Sequence, residues 1–332
     1  MNKKSWKKDR RKVACATLLS FFLSFVCYGQ QDSFGINVKK TDSLYILGYP
    51  EKLKVMSFVS TRSLEIDAGD KNYSPNYPLN LGVGLVVKNT IFGMQLGYGF
   101  IPLKSKKEYG NSKVMDFQAH HYGRNVIVDL FFQNYKGFYS HRRSGSIEEL
   151  FPDMSVLQFG AEATYLFNGK RYSSKAAFDL NELQLRSAGS WLVGGGAYYY
   201  RLKGFDDYAA SSANSFENVQ LGINAGYAYS LVLNDRWLLS GMAKAGVNFG
   251  DATHKTRNGK VDIYPTAAAR FSGNYHKKDW GLSMVIMISN KSVYPIKSDE
   301  LSLTSITMQL SYVKHLDDLF KKKNKYKYVE KN

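Results

Sequence analysis

The stretch V-Q-L-G-I-N-A-G-Y-A-Y-S-L, residues 219–231, decides the fold. Val219, Leu221, Ile223, Ala225, Tyr227, Tyr229 and Leu231 alternate with Gln220, Gly222, Asn224, Gly226, Ala228 and Ser230. Successive strand residues point to opposite faces, so this segment makes a strand with one apolar and one polar side. About 9–11 tilted strand residues cross a bilayer, and this stretch exceeds that length. The pattern recurs along most of the chain. It predicts an all-β fold, an antiparallel transmembrane β-barrel with a polar lumen. A soluble β-sandwich is the rival that the same alternation allows.

Working outward, Leu79, Leu81, Val83, Leu85 and Val87 alternate with Asn80, Gly82, Gly84 and Val86. Phe92, Met94, Leu96, Tyr98 and Phe100 alternate with Gly93, Gln95, Gly97 and Gly99. Further strands are expected over 53–66, 114–122, 126–139, 156–167, 190–202, 239–249, 261–275, 280–289 and 303–315. Asn168-Gly169 is a hairpin signal. Short connections such as Asn234-Asp235-Arg236 alternate with long ones such as 140–153, 250–259 and 291–300. Outer-membrane barrels have short periplasmic turns and longer external loops, which predicts both termini on the periplasmic side. One segment, 172–187, is left over. Counting it as a strand gives about thirteen; omitting it gives about twelve, the even number expected of a bacterial barrel. It alternates poorly, so the expectation is an insertion in the lumen or under the periplasmic mouth. A spanning strand, with a neighbour miscounted, is the competing reading.

The amino terminus bears on compartment. Lys3, Lys4, Lys7, Lys8, Arg10, Arg11 and Lys12 stand against the single Asp9, followed by an apolar run from Val13 to Tyr28. A basic segment, an apolar segment and a small residue make a signal peptide, residues 1–29, with cleavage expected after Gly29. Residues 30–52 then form a periplasmic lead-in, 53–315 the barrel and 316–332 a basic tail. Cys15 and Cys27 both fall in the signal, so the mature chain is expected to hold no disulfide, thiolate nucleophile or cysteine-bound metal. The signal takes seven basic residues and Asp9, a net +6, leaving about +11 of the formal +17 on the remainder. A basic tail could touch anionic membrane surfaces; for an exported chain nucleic acid is not expected, and a solvated tail is the leading reading. Aromatic residues make up 14% of the sequence, a share that suits interfacial girdles. The mean hydropathy of -0.33 fits a barrel whose strands are half polar. The expected location is the outer membrane.

Three stretches carry a family resemblance: H-Y-G-R-N-V-I-V-D-L-F-F-Q-N-Y-K-G-F-Y (121–139), Y-L-F-N-G-K-R-Y-S-S-K-A-A-F (165–178) and L-R-S-A-G-S-W-L-V-G-G (185–195). With the Y-P-E-K-L that precedes the first strand, they resemble the domain of unknown function 4421 family of uncharacterised Gram-negative outer-membrane proteins. The resemblance implies an exported β-barrel and assigns no catalytic residue.

Projecting the strands puts Asp116, His120, Asp129 and Glu162 on neighbouring polar faces, and Lys244, Asp262 and Arg270 on later ones. An acidic wall facing a basic wall would orient a polar solute in a narrow channel, as charged rings do in selective pores. A salt-bridge network filling a structural barrel is the alternative use of the same residues. The inward glycines Gly82, Gly84, Gly93, Gly97 and Gly99 leave one wall bare. A plug spanning Phe178, Glu182 and Arg186 is expected to pack there, with Glu182 and Arg186 pairing with lumenal charges. The leading function is therefore a narrow or plugged channel for small polar solutes, or a structural barrel. The alternative from another class is a membrane-embedded lipase- or acyltransferase-type enzyme using Ser140, His120, His121, His141 and Asn134 near a rim. No G-x-S-x-G elbow supports it. His120 and His121 are adjacent and face opposite sides, so they cannot share a metal; no metal or cofactor is expected. Lys106, Lys107, Arg142, Arg143, Lys255 and Arg257 in external loops would meet lipopolysaccharide phosphates through charge-assisted hydrogen bonds.

Overall fold

The alternation builds one large antiparallel sheet, beside a separate two-stranded pair, in the computed structural model, which describes residues 41–49, 53–68, 71–87, 94–141, 147–204, 215–252, 261–277, 279–293 and 301–316. The expected signal peptide and the tail beyond residue 316 lie outside the described residues. The strands are β1 (Ile46–Gly48), β2 (Leu53–Ala68), β3 (Lys71–Ser74), β4 (Pro78–Val87), β5 (Met94–Pro102), β6 (Lys113–Tyr122) and β7 (Val126–His141). They continue as β8 (Ile147–Leu166), β9 (Glu182–Gln184), β10 (Ala188–Lys203), β11 (Ser215–Val232), β12 (Trp237–Ala252), β13 (Asp262–Lys277), β14 (Trp280–Ser292) and β15 (Leu301–Leu316). Two short helices, α1 (Lys106–Tyr109) and α2 (Ser174–Phe178), interrupt them.

The last strand closes on the first long one. β15 pairs with β2 without a break from Leu301↔Ala68 to Leu316↔Leu53. From there the ring runs β14, β13, β12, β11, β10, β8, β7, β3 and back to β2, ten strands in all. Closure leaves these strands no open edge, which a wall facing lipid requires. β3 and β4 are one path broken between Ser74 and Pro78, where Pro75 and Pro78 have no backbone N–H to give the ladder. At the break β3 pairs across to β7, Tyr73 opposite Ser140. β5 and β6 therefore stand outside the closed ring, each held along one edge, to β4 and β7 respectively. Twelve long strand paths are present; ten complete the ring.

Burial is inverted relative to a soluble domain. On β11, Ile223 is 62% exposed while Gln220 and Ser230 are fully buried. The apolar face points outward on every well-alternating strand, with Leu221, Val193, Ile263 and Leu310 among its exposed residues. At the end holding Leu53 and Leu316, here the near mouth, aromatic residues form a girdle. Trp191 meets Tyr227 at 5.0 Å, Trp237 meets Tyr275 at 5.2 Å and Trp280 meets Tyr312 at 5.8 Å between ring centroids. Such amphipathic rings suit the membrane–water boundary. The chain is a transmembrane β-barrel.

The segment 172–187 adds no strand to the wall. It forms α2 and β9 inside the near mouth, and β9 pairs with β1 of the lead-in, Ile46 opposite Gln184. The lead-in was expected only to precede the barrel; residues 41–49 instead share its mouth. Strands also run further than expected at the loop end. β8 begins at Ile147, inside the predicted 140–153 loop, because a bulge at Gly137 (φ 87°) lets β7 continue to His141. β14 reaches Ser292, bringing Lys291 out of a predicted loop and onto the lumenal face.

Candidate functional site: a charged chamber in the lumen

Three packed layers occupy the barrel's inside. Toward the loop end, Leu64, Ile66, Tyr135, Tyr200, Leu202 and Leu303 belong to one buried apolar cluster. At the near mouth, Ile127, Leu166, Tyr172, Phe178 and Leu192 form a second, and Leu180 packs with Met56, Phe58 and Val313 in a third. Between these layers lies a cavity of about 140 Å³ lined by His120, Asp129, Glu162, Lys244, Arg270 and Lys291, with Leu64, Met242 and Met287 among its apolar neighbours.

Register explains why charges gather there. Asp129 on β7 stands directly opposite Glu162 on β8 and, on its other side, opposite His120 on β6. Two carboxylates so placed repel each other, and cations must reach both. His120 Nδ1 lies 2.5 Å from Asp129 Oδ1, and Arg270 Nη2 lies 3.3 Å from the same oxygen. Arg270 also donates to the Tyr122 hydroxyl at 2.6 Å. Glu162 pairs with Lys244, which donates in addition to Thr164 Oγ1 at 3.2 Å. Glu162 also accepts from the Tyr198 hydroxyl at 2.7 Å and from Asn224 Nδ2 at 3.3 Å.

The Lys244–Glu162 pair crosses two intervening strands, about 14 Å of wall at ordinary strand spacing. Glycines open that path. Glu162 faces Gly196 and Lys244 faces Gly226, with Gly194 and Gly222 between. A Cβ on Gly196 would lie 2.6 Å from the Tyr198 hydroxyl. The glycine path that this pair uses lies on β10 and β11; of the glycines that the sequence singled out, Gly82 and Gly84 lie on β4, Gly97 and Gly99 on β5, and Gly93 outside the described residues.

Asp116 sits apart from this group. It pairs with Arg62 of β2 and accepts from Gln133 and Tyr135, both at 2.9 Å, under the loop-end cluster. Asp262 is farther still, at the outer end of β13, eight residues and about 26 Å of strand from Arg270. The sequence reading missed Arg62, Tyr122, Tyr198 and Lys291. Arg62 lies in a strand whose alternation is weak, and the tyrosines look like ordinary girdle residues. Lys291 was assigned to a loop; its parity with Val285 and Met287 was the signal that it faces inward.

The insertion forms the chamber's floor. Ser173 caps α2, accepting from the Ala176 N–H at 3.0 Å. Wall side chains then hold the helix's carbonyl end: Ser272 donates to the Ala177 carbonyl at 2.5 Å, and Asn274 to those of Ala176 and Ala177 at 3.0 and 2.7 Å. Lys54, 2% exposed, contacts Asp179 at 2.5 Å. Glu182 pairs with Arg124 of the β6–β7 turn and accepts from Ser173 at 2.6 Å. Phe178 lies beneath Arg270, whose guanidinium is 5.4 Å from the ring centroid. Arg186 does not join a lumenal charge as expected. It is exposed, with its guanidinium 5.9 Å from the Tyr45 ring, because it lies past β9 where the chain leaves the mouth. Burial pushes the Tyr172 phenol well above its usual range, so it stays neutral as part of the packing.

The enzyme constellation is not assembled. Ser140 is buried at the loop end of β7, Asn134 is exposed on the outer face, and His120 lies in the chamber. Of the residues expected to touch lipopolysaccharide, Lys106 and Lys107 are exposed on α1; Arg142, Arg143, Lys255 and Arg257 lie outside the described residues. No group of three or more His, Cys, Asp or Glu side chains with metal-binding geometry occurs among the described residues.

Several solved barrels resemble the chain at low identity. OmpT, an outer-membrane protein of Vibrio cholerae, is 10% identical, with a TM-score of 0.29 over 80% of this chain and 99% of that one. The toluene transporter TodX of P. putida is 9% identical, with a TM-score of 0.30 over 81% of this chain and 91% of that one. The outer-membrane protease OmpT of Escherichia coli is 8% identical, with a TM-score of 0.31 over 84% and 99%. Scores this low leave the fold to be judged on the chain's own ladders, which close. No curated protein matches. A family model described as Domain of unknown function (DUF4421) matches residues 40–313, and the chain belongs to that family.

Proposed function

We propose that this barrel sits in an outer membrane with both chain ends toward the periplasm, and that it is a plugged conduit for small polar solutes. The observation that carries the reading is the seating of residues 172–187. Their polar backbone is held by lumen-facing wall residues, Lys54, Ser272 and Asn274, rather than by apolar packing alone. Hydrogen bonds of this kind contribute about 0.5–1.5 kcal/mol each when neutral, so the insert is held by a modest sum that a conformational change can reverse. The charged chamber above it would orient a solute once the floor moves.

The loop-end cluster around Tyr135 and Tyr200 favours a second reading, a filled structural barrel with the same architecture. Planar-bilayer recordings of the refolded protein, intact and lacking 172–187, decide between them. Rare or absent steps in the intact protein and sustained steps after deletion are expected of the plugged conduit. Silence in both, with heat-modifiable migration retained, would favour the structural barrel.

A further inference from the structure

We infer that the central chamber is a binding site for one small organic monoanion, a short-chain carboxylate whose charged end meets Lys291. Lys291 lies on the lumenal face of β14, half-buried at the chamber wall. Its ammonium is 4.4 Å from the Phe131 ring centroid and 4.3 Å from that of Tyr198. Among the described residues it makes no ion pair. The other cations of the chamber are committed, Lys244 to Glu162 and Arg270 to Asp129. Ring faces offset only part of the cost of withdrawing an ammonium from water.

Charge and shape then select the ligand. Counting its Lys, Arg, Asp and Glu side chains, the chamber lining holds Lys244, Arg270 and Lys291 against Asp129 and Glu162, an excess of one positive charge. One monoanion balances that excess. A dianion such as phosphate would overshoot it beside two carboxylates. The rest of the lining includes Leu64, Met242, Met287, Ile288 and Leu303, which suits a short hydrocarbon body. A cavity of about 150 Å³ accepts a molecule the size of benzene, so about six heavy atoms fit. The inference stands apart from passage through the barrel, since a site can fill whether or not the floor opens.

The test is equilibrium dialysis of the full-length protein, refolded in detergent in the presence of labelled butyrate so that the chamber can load. Saturable binding of one butyrate per barrel is expected, with no comparable binding of n-butylammonium. Lys291→Met is expected to weaken butyrate at least tenfold while keeping heat-modifiable migration, and Lys291→Arg to retain it. Non-saturable uptake, or equal uptake of the ammonium, overturns the inference on the unmodified protein alone, even if Lys291→Met does not fold. Unchanged butyrate binding in a folded Lys291→Met overturns it too. Butyrate binding with silence even after deletion of 172–187 sinks only the conduit; sustained conductance after that deletion, with no butyrate bound by the intact protein, sinks only this site.

Discussion

Asp129 and Glu162 face each other across β7 and β8, and their repulsion is answered by His120, Arg270 and Lys244 from three other strands. Removing one partner of such a buried pair strands the other charge, at about 3–5 kcal/mol. Lys244→Met is therefore expected to lower unfolding free energy by about that amount, read from urea titrations of the folded barrel in detergent. Adding Glu162→Gln to it should restore most of the loss, because no unpaired carboxylate remains. A loss that the second change does not recover would mean that Lys244 acts through packing instead. Gly196→Val tests the same pair from the wall: its side chain takes the space of the Tyr198 hydroxyl and blocks the path of Lys244. It should destabilise the barrel more than Gly241→Val does, since an added Cβ at Gly241 meets only the Phe271 ring, at 3.5 Å.

At the scale of the element, the insert is the informative piece. α2 is one turn and a half of helix, too short to persist by itself, and its conformation is imposed by Ser272, Asn274 and Lys54. The turn that follows holds Leu180 at φ 51°, a left-handed conformation that costs a non-glycine residue roughly 1–2 kcal/mol and is held here by burial against Met56, Phe58 and Val313. Lys54→Ala combined with Asn274→Ala is expected to release the segment, seen as new trypsin cleavage at Lys170, Arg171 or Lys175 while the rest of the barrel resists. An unchanged digestion pattern would show that the apolar clusters alone hold it. Residues 172–187 were separable from the wall by their poor alternation, and that much was legible. Their partners were not. Alternation reports which face a residue takes, and nothing local tells which distant wall a hydrogen-bonded insert will meet. For the same reason the bare wall was sought on β4–β5, where glycines alternate with apolar residues along the sequence. The glycines that matter on β10 and β11 become one groove only after the strands are set in register.

Over the whole molecule, residues 219–231 carried the architecture because a period of two, repeated through strand after strand, leaves few ways to hide so many outward apolar side chains. The count of twelve long strands was equally readable. The ten-strand ring was not, because it depends on β3 crossing to β7 at the proline break, a pairing between segments more than 60 residues apart. The inside-out reading has its own test. Ile223, midway along β11, faces outward, so Ile223→Lys should destabilise the lipid-embedded barrel by about 2–4 kcal/mol, as basic residues do at the bilayer midplane. A cost well below that would place Ile223 in water.

The central claim is that residues 172–187 sit inside the barrel as its floor. In a chain with Cys15 and Cys27 replaced by Ala, single cysteines at Phe178 and at Lys170 can be timed against a small water-soluble thiol reagent. Phe178 is 8% exposed beneath Arg270 and Lys170 is exposed on the turn. Labelling of Phe178→Cys at least a hundredfold slower than Lys170→Cys is the expected result. Equal rates in the folded, heat-modifiable protein would mean that the segment lies outside the lumen, and the plugged barrel would fall with it.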